Sequence, residues 1–205
     1  MKIMISVIIG YLIGCFNPAA IIAKRKNVNL KQEGTGNLGA TNTAYVMGSG
    51  AGITVLIADI MKSVFSAKLV KLLFPQTLCV GMLACIGCIL GHCFPIFMGF
   101  HGGKGLAAFA GMVLEYNLHF ALPIIIPGLF LIIILNTGVA APILACVLFP
   151  ILVACYHGTL EEMILAAISS CVILWTHRDN LKKAILREDV ISSKEYIKAI
   201  ILKKK

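Results

Sequence analysis

The chain has 205 residues, of which 59% are hydrophobic and 13% charged, and its mean hydropathy is +0.94. Soluble domains carry about 45–50% apolar and about 25% charged residues, so this composition excludes a soluble enzyme and a secreted domain. Lysine and arginine outnumber aspartate and glutamate by 18 to 9. In a membrane protein this excess indicates basic loops against anionic lipid. We therefore expect membrane lipid as a partner, and no nucleic acid.

The apolar segments predict an all-α, polytopic membrane protein with about seven transmembrane helices. A spanning helix needs about 20 mostly apolar residues. Seven segments reach or approach this length, at residues 3–23, 51–74, 77–98, 105–116, 118–135, 139–156 and 160–176. The fourth is too short to cross unless it extends or the bilayer thins locally. We expect residues 1–190 to form one membrane domain and residues 191–205 a basic cytoplasmic tail.

Basic residues near the ends of these segments predict the orientation, because lysine and arginine accumulate in cytoplasmic loops. The loop after the first segment holds Lys24, Arg25, Lys26 and Lys31, and the loop after the third holds Lys104. The tail holds Arg178, Lys182 and Lys183, with further lysines up to residue 205. Seven crossings then place the N-terminus outside and the C-terminus in the cytoplasm. Lys68 and Lys71 do not fit this scheme, since both fall toward the outer end of the second segment. Glu115 is expected to face water at that side.

Polar residues and glycines concentrate in three segments, all on the predicted cytoplasmic side. They are residues 34–42 (GTGNLGATN), the turn at residues 102–105 (GGKG), which follows residues 91–95 (GHCFP), and residues 177–180 (HRDN). Their placement on one face predicts a single site there. A glycine-rich turn can aim backbone N–H groups at a phosphate, and Lys104 adds a cation. The turn is not a nucleotide loop, because Gly105 stands where Ser or Thr is required and no strand precedes it.

Each segment taken alone has a simpler interpretation. The glycines of the turn are also typical of helix caps and close packing, and residues 34–42 resemble a solvated loop, too rich in glycine for a helix. Their Thr35, Asn37 and Asn42 can nevertheless donate to phosphate oxygens or glycerol hydroxyls. His177 and Asn180 share a face if a helix continues through them. Histidine can move a proton or meet an anion, or simply lie at the membrane interface.

Three further patterns have structural interpretations. Asp59 and Lys62 are three residues apart within the second segment, and we interpret them as a structural ion pair. Gly10 and Gly14 form the spacing of small residues that is typical of helix packing. Cysteines 85 and 88 share a helical face with His92, but one straight helix cannot surround a tetrahedral ion. We therefore expect no metal site.

In this order and spacing, the three polar segments resemble motifs of the bacterial acyl-phosphate-dependent glycerol-3-phosphate acyltransferases, the PlsY family. The family's S-G-N-x-G-A-x-N is matched by residues 35–42, its G-H-x-F-P and G-G-K-G by residues 91–95 and 102–105, and its H-R-x-N by residues 177–180. The second motif is specific, and the combination is more specific still. The resemblance covers residues from about 8 to about 190.

The resemblance implies the reaction and its residues. It implies transfer of a fatty acyl group from acyl phosphate to the 1-hydroxyl of sn-glycerol 3-phosphate, without a cofactor, to form lysophosphatidic acid for phospholipid synthesis. The active face would lie on the cytoplasmic side of a bacterial plasma membrane. Catalytic roles are implied for Lys104, His177 and Asn180. The implied substrate-binding residues are Gly34, Thr35, Gly36, Asn37, Asn42, Gly102, Gly103 and Gly105.

Several positions depart from the family pattern. Thr35 replaces a serine, and Tyr45 and Asn136 stand where the family has arginines. Residues 136–142 also lack two family hydroxyls, while Ser63 and Arg187 replace glycines. These departures leave open an alternative, a weakened or inactive homologue that binds a phospholipid precursor or regulates lipid synthesis. A transporter ranks third, because polar residues along a path at mid-membrane depth are limited to Asp59 and Lys62.

Overall fold

A computed structural model describes residues 1–135, 137–186 and 198. All regular structure in this part of the chain is helical, which confirms the predicted all-α class. The helices are α1 (Lys2–Gly14), α2 (Pro18–Arg25), α3 (Ala40–Met47), α4 (Ser49–Leu73), α5 (Val80–Cys93), α6 (Leu106–Tyr116), α7 (Ala121–Leu135), α8 (Ala140–Cys155) and α9 (Leu160–Leu186), with 3-10 turns at Ile96–Met98 and Leu118–Phe120. Asn136, Arg187 and the predicted tail, except Lys198, lie outside the described residues.

Several stretches of the described chain suit a membrane. Lys2–Arg25, Val80–Met98 and Leu160–Leu186 are long and apolar enough to cross. Leu106–Tyr116, Leu118–Ile132 and Ala140–Cys155 are shorter apolar helices. Large apolar side chains cover the outside of the bundle, where Phe65 and Phe130 are mostly exposed, while Phe109 and Phe149 pack edge to face in the core with ring centroids 5.5 Å apart. The chain is thus apolar both in its core and on its outer surface, as its high apolar content predicts. Lipid is the environment that can cover such an outer surface.

The first predicted segment, residues 3–23, is not one continuous helix. α1 ends at Gly14, and α2 begins at Pro18, where a missing N–H costs nothing. Asn17 caps α2, since its Oδ1 accepts a hydrogen bond of 2.9 Å from the N–H of Ala20. The break leaves the carbonyls of Gly14 and Phe16 available to other partners.

Two other boundaries differ from the sequence prediction. α3 begins at Ala40, so residues 40–42 form a first helical turn rather than loop. The loop ends at the extended Gly39, and no further glycine occurs before Gly48, so nothing opposes a helix there. α9 continues to Leu186, ten residues beyond the predicted end, and therefore carries residues 177–180 on a helix.

α1 and α5 cross in close backbone contact. A Cβ atom at Gly10 would overlap the carbonyl of Ala84, and one at Gly14 would overlap that of Cys88. Because the residue numbers increase together from the first pair to the second, the two helices run parallel. The small-residue interpretation of Gly10 and Gly14 is thus confirmed.

Successive helices run back and forth between two ends of the bundle. We call the end that holds residues 102–105 the turn end, and the opposite one the Glu115 end. α5 ends and α6 begins at the turn end, while α6 ends and α9 begins at the Glu115 end. A chemical site at either end is therefore built from helix termini and the loops that join them.

Candidate active site

A cavity of about 420 Å³ opens at the turn end. All three polar segments contribute to it, as their placement on one face predicts. Its walls are formed by Lys31, Gly36, Asn37, Leu38, Cys93, Phe94, Phe100, His101, Gly102, Gly103, Lys104, Thr176 and Arg178. Loop residues after α2, the turn before α6 and the last part of α9 therefore share one space.

The glycine turn is held by the end of α5. The N–H of Gly103 donates to the carbonyl of His92, and that of Gly102 to the carbonyl of Cys93, both at 3.1 Å. These two N–H groups are used within the fold, which corrects the expectation that they point at a phosphate. The N-terminus of α6, which follows with Gly105 in the left-handed region and no side-chain cap, supplies backbone donors at the same place.

Lys104 joins the second polar segment to the third. Its Nζ donates to Oδ1 of Asn180 at 2.5 Å, and its backbone carbonyl accepts a hydrogen bond of 2.8 Å from Oγ1 of Thr176. The side chain is half-buried. Burial lowers the pKa of Lys104 below its usual value; Lys183 lowers it further, while Asp179 opposes the shift. A bound phosphate would favour the charged amine, because opposite charges stabilise each other.

His177 is buried beside this cavity rather than on its wall. Its Nδ1 lies 2.9 Å from the carbonyl of Ile173, one helical turn earlier. A carbonyl only accepts, so Nδ1 carries the proton and Nε2 is left with a free lone pair. The neighbours Thr176 and Arg178 do line the cavity.

The first polar segment divides into wall residues and residues that shape its loop. Gly36 and Asn37 line the cavity. Asn42 is fully buried: its Oδ1 accepts from the N–H of Thr35 at 2.7 Å, and its Nδ2 donates to two loop carbonyls at 3.0 and 3.1 Å. Gly34 has a positive φ and packs against Asn42. Asn42 and Gly34 therefore shape the loop, and their contact with substrate stays a prediction.

Sequence reasoning missed some residues of the cavity wall. Lys31 was counted only as a charge that sets orientation, and His101 was not singled out, whereas Arg178 already belonged to the third polar segment. The Arg178 guanidinium lies 4.4 Å from the ring centroid of Trp175, and its Nη1 donates to the carbonyl of Trp175 at 2.9 Å. Lys31 and His101 carry no spacing signal in the sequence.

A second cavity, of about 580 Å³, lies at the Glu115 end. Lys71 reaches Glu115 there, with Nζ 2.5 Å from Oε1. This contact explains why a lysine is tolerated at that end of α4. The Glu115 side chain is largely covered but lines this cavity, so its expected contact with water stays a prediction. Of the three polar segments, none contributes to this second cavity.

The chain is similar to known acyltransferases along most of its length. A family model described as glycerol-3-phosphate acyltransferase matches residues 4–187. The chain belongs to this family. Acyltransferase relatives include one from Shouchella clausii, 36% identical over 197 residues that cover 90% of this chain and 93% of the relative. Another, from Lactiplantibacillus plantarum, is 35% identical over 187 residues that cover 89% and 88% of the two chains.

Two solved structures of this acyltransferase family share the fold. Both are of PlsY, an integral membrane glycerol 3-phosphate acyltransferase, one in the glycerol 3-phosphate form and one in the lysophosphatidic acid form. The first superposes with a TM-score of 0.87 and the second with 0.85, each at 27% identity over 96% of this chain and 99% of the other. The acyltransferase chain described here is therefore a polytopic membrane protein.

Proposed function

We propose that this protein transfers a fatty acyl group from acyl phosphate to the 1-hydroxyl of sn-glycerol 3-phosphate, forming lysophosphatidic acid. The observation that carries the proposal is the meeting of three polar segments at one cavity, with Lys104 bonded to Asn180. The similar PlsY structures are named for the acceptor and the product of this reaction. No cofactor takes part in the proposal.

The cavity suits two phosphate groups. Lys104, Arg178 and Lys31 place three cationic side chains on its wall. The N-terminus of α6 adds backbone N–H groups and the positive end of a helix dipole. Such fixed positive groups offset the repulsion between the acceptor phosphate and the phosphate of the donor. We assign Lys104 to the acceptor phosphate, and we assign Asn180 to holding the Lys104 ammonium in place.

The chemistry demands mainly positioning, because a mixed anhydride is already activated. The acceptor hydroxyl oxygen bonds to the acyl carbon, the bond from that carbon to the phosphate oxygen breaks, and inorganic phosphate leaves. The hydroxyl proton goes to a base. Two groups can take it, Nε2 of His177 and the leaving phosphate itself. His177 is one turn from Ile173, whose carbonyl holds Nδ1 and so orients Nε2.

The proposal includes seven crossings, with the turn end in the cytoplasm and the N-terminus outside, in a bacterial plasma membrane. The distribution of charge supports this direction, because basic residues surround the turn end and Glu161 and Glu162 begin α9 at the other. Reporter fusions test it. A fusion after residue 186 should report a cytoplasmic position, and an insertion within residues 75–79 an external one. The reverse pattern would overturn the assigned face.

Purified protein supplied with acyl phosphate and glycerol 3-phosphate provides the direct test. We expect lysophosphatidic acid and an equal amount of inorganic phosphate, and neither product when glycerol replaces glycerol 3-phosphate. Binding of glycerol 3-phosphate without turnover would instead favour the inactive homologue, in which the cavity retains its cations but not its chemistry.

A further inference from the structure

Three ionisable side chains meet in the interior, behind the glycine turn. Asp59 and Lys62 of α4 and His92 of α5 are 1%, 6% and 3% exposed. Lys62 Nζ lies 2.8 Å from Oδ1 of Asp59, which confirms the predicted pair, and 2.8 Å from Nδ1 of His92. None of the three lines the cavity. Ionisable groups are costly at membrane depth and rarely serve packing alone.

Lys62 connects His92 to the first membrane segment. Nζ also lies 2.9 Å from the carbonyl of Phe16 and 3.2 Å from that of Gly14, at the break between α1 and α2. Nδ1 of His92 lies 3.3 Å from Oδ1 of Asp59 as well, so this ring nitrogen is held between the ammonium and the carboxylate. The cluster thus ties α4 and α5 to the break in the first membrane segment.

The other edge of the His92 ring faces the cavity wall. A Cβ atom at Gly103 would overlap Nε2 of His92 and would lie 2.9 Å from the carbonyl oxygen of Leu38. The carbonyl of His92 also accepts the N–H of Gly103. Asn17 meanwhile donates to the carbonyl of Leu38 at 3.2 Å. The glycine turn therefore packs against His92. The loop that carries Leu38 is bonded to Asn17, which directly follows the Phe16 carbonyl that Lys62 binds.

We propose that Asp59, Lys62 and His92 are positioning residues that fix the place of Lys104 by holding the turn before it. This inference rests on the proposed function. Lys104 follows Gly103 directly, so a shift of the turn moves the ammonium with it. Misplacing a binding group by about 1 Å can cost on the order of a hundredfold in rate. The cluster acts through the turn and does not touch substrate.

A double variant, Asp59→Asn with Lys62→Met, removes both charges and leaves no unpaired buried ion. We expect the folded variant to show a KM for glycerol 3-phosphate raised tenfold or more, with kcat reduced much less. The matched control is Lys71→Met with Glu115→Gln, which removes the ion pair at the Glu115 end of the bundle. Lys71 lies nine residues after Lys62 on α4, about 14 Å away at 1.5 Å per residue. That control should leave KM unchanged.

Variants of His92 give a second comparison that does not require removal of charge. An asparagine at this position keeps a polar group near the place of Nδ1, whereas a leucine does not. We expect KM to rise in the order wild type, His92→Asn, His92→Leu, with comparable thermal melting for the two variants. If the double variant does not fold, the KM values of these two His92 variants test the positioning role instead.

An unchanged KM in the folded double variant would overturn the inference, as would an equal rise in the Lys71 and Glu115 control. Failure of the proposed function shows up separately, as absence of lysophosphatidic acid from wild-type protein. Calorimetric binding of glycerol 3-phosphate then replaces KM, and loss of binding in the double variant alone still supports the positioning role. A wild-type protein with neither turnover nor binding overturns both proposals.

Discussion

Replacing Lys104 by methionine removes the ammonium and keeps most of the aliphatic stem. The backbone carbonyl of Lys104 retains its bond from Thr176, and the glycine turn retains its bonds to the end of α5. The substitution therefore tests the charge and not the turn. Asn180 loses a donor, but it is only half-buried, so water can replace that partner.

A charge-assisted hydrogen bond contributes about 1.5–3 kcal/mol net. At 1.4 kcal/mol per factor of ten, the loss of the bond from Lys104 to the acceptor phosphate raises KM for glycerol 3-phosphate about tenfold to a hundredfold. Arg178 and Lys31 remain on the cavity wall and keep the loss from being greater. The free energy of unfolding should change by about 1 kcal/mol or less, because the bond from Lys104 to Asn180 is only half-buried and water replaces the lost donor.

The assay is the initial rate of lysophosphatidic acid formation at saturating acyl phosphate, with glycerol 3-phosphate varied. Lys182→Met is the matched control, since it removes one exposed positive charge from the same helix as Asn180 without altering the cavity wall. Thermal melting checks that both variants fold. An unchanged KM in Lys104→Met, or an equal rise in the control, would refute the assignment of Lys104 to substrate phosphate.

Three further outcomes are expected. Burial lowers the pKa of Lys104, so the free protein loses this positive charge as the pH rises through the lowered value. The KM for glycerol 3-phosphate should therefore rise over that pH range. In Lys104→Arg the guanidinium stays charged, and this rise in KM should vanish. His177→Gln should lower kcat about a hundredfold or more if Nε2 takes the hydroxyl proton, whereas a retained kcat assigns that proton to the leaving phosphate. Gly103→Ala should cost about 1–3 kcal/mol in thermal unfolding through overpacking, while Gly50→Ala, which meets open space, should cost nothing.

The sequence was sufficient to predict the fold class and the meeting of the three polar segments at one end of the bundle. Apolar length predicts membrane helices because a spanning helix must match the thickness of the bilayer. Glycine turns stand out between such helices because glycine and polar residues interrupt the apolar runs. His177 and Asn180 could be placed on one face because helical spacing is regular. The prediction that all three polar segments share one cavity followed from orientation alone, and the structure confirms it.

Features that depend on contacts between distant residues were not predictable. Asn17 caps a helix inside an apolar run, and hydropathy averages over such a break. The use of Gly102 and Gly103 by the end of α5 reverses their expected role, and it follows from the position of another helix, not from the turn's own sequence. His92 belongs to an ion cluster because Lys62 lies beside it in space, 30 residues away along the chain.

In the proposed topology, in which α6 crosses the membrane, water must reach far into the bilayer at both ends of this helix. This helix has 11 residues, so it rises about 16 Å, against a hydrocarbon core about 30 Å thick. In the proposed topology about 14 Å of that thickness is left to the two ends of the helix, which are the places where the two cavities lie. The boundary between lipid headgroups and acyl chains then lies closer to the middle of the bilayer at Lys104 than elsewhere. A water-soluble acceptor and a donor anchored in lipid can then meet at the depth where acyl chains begin, and neither has to leave its own phase.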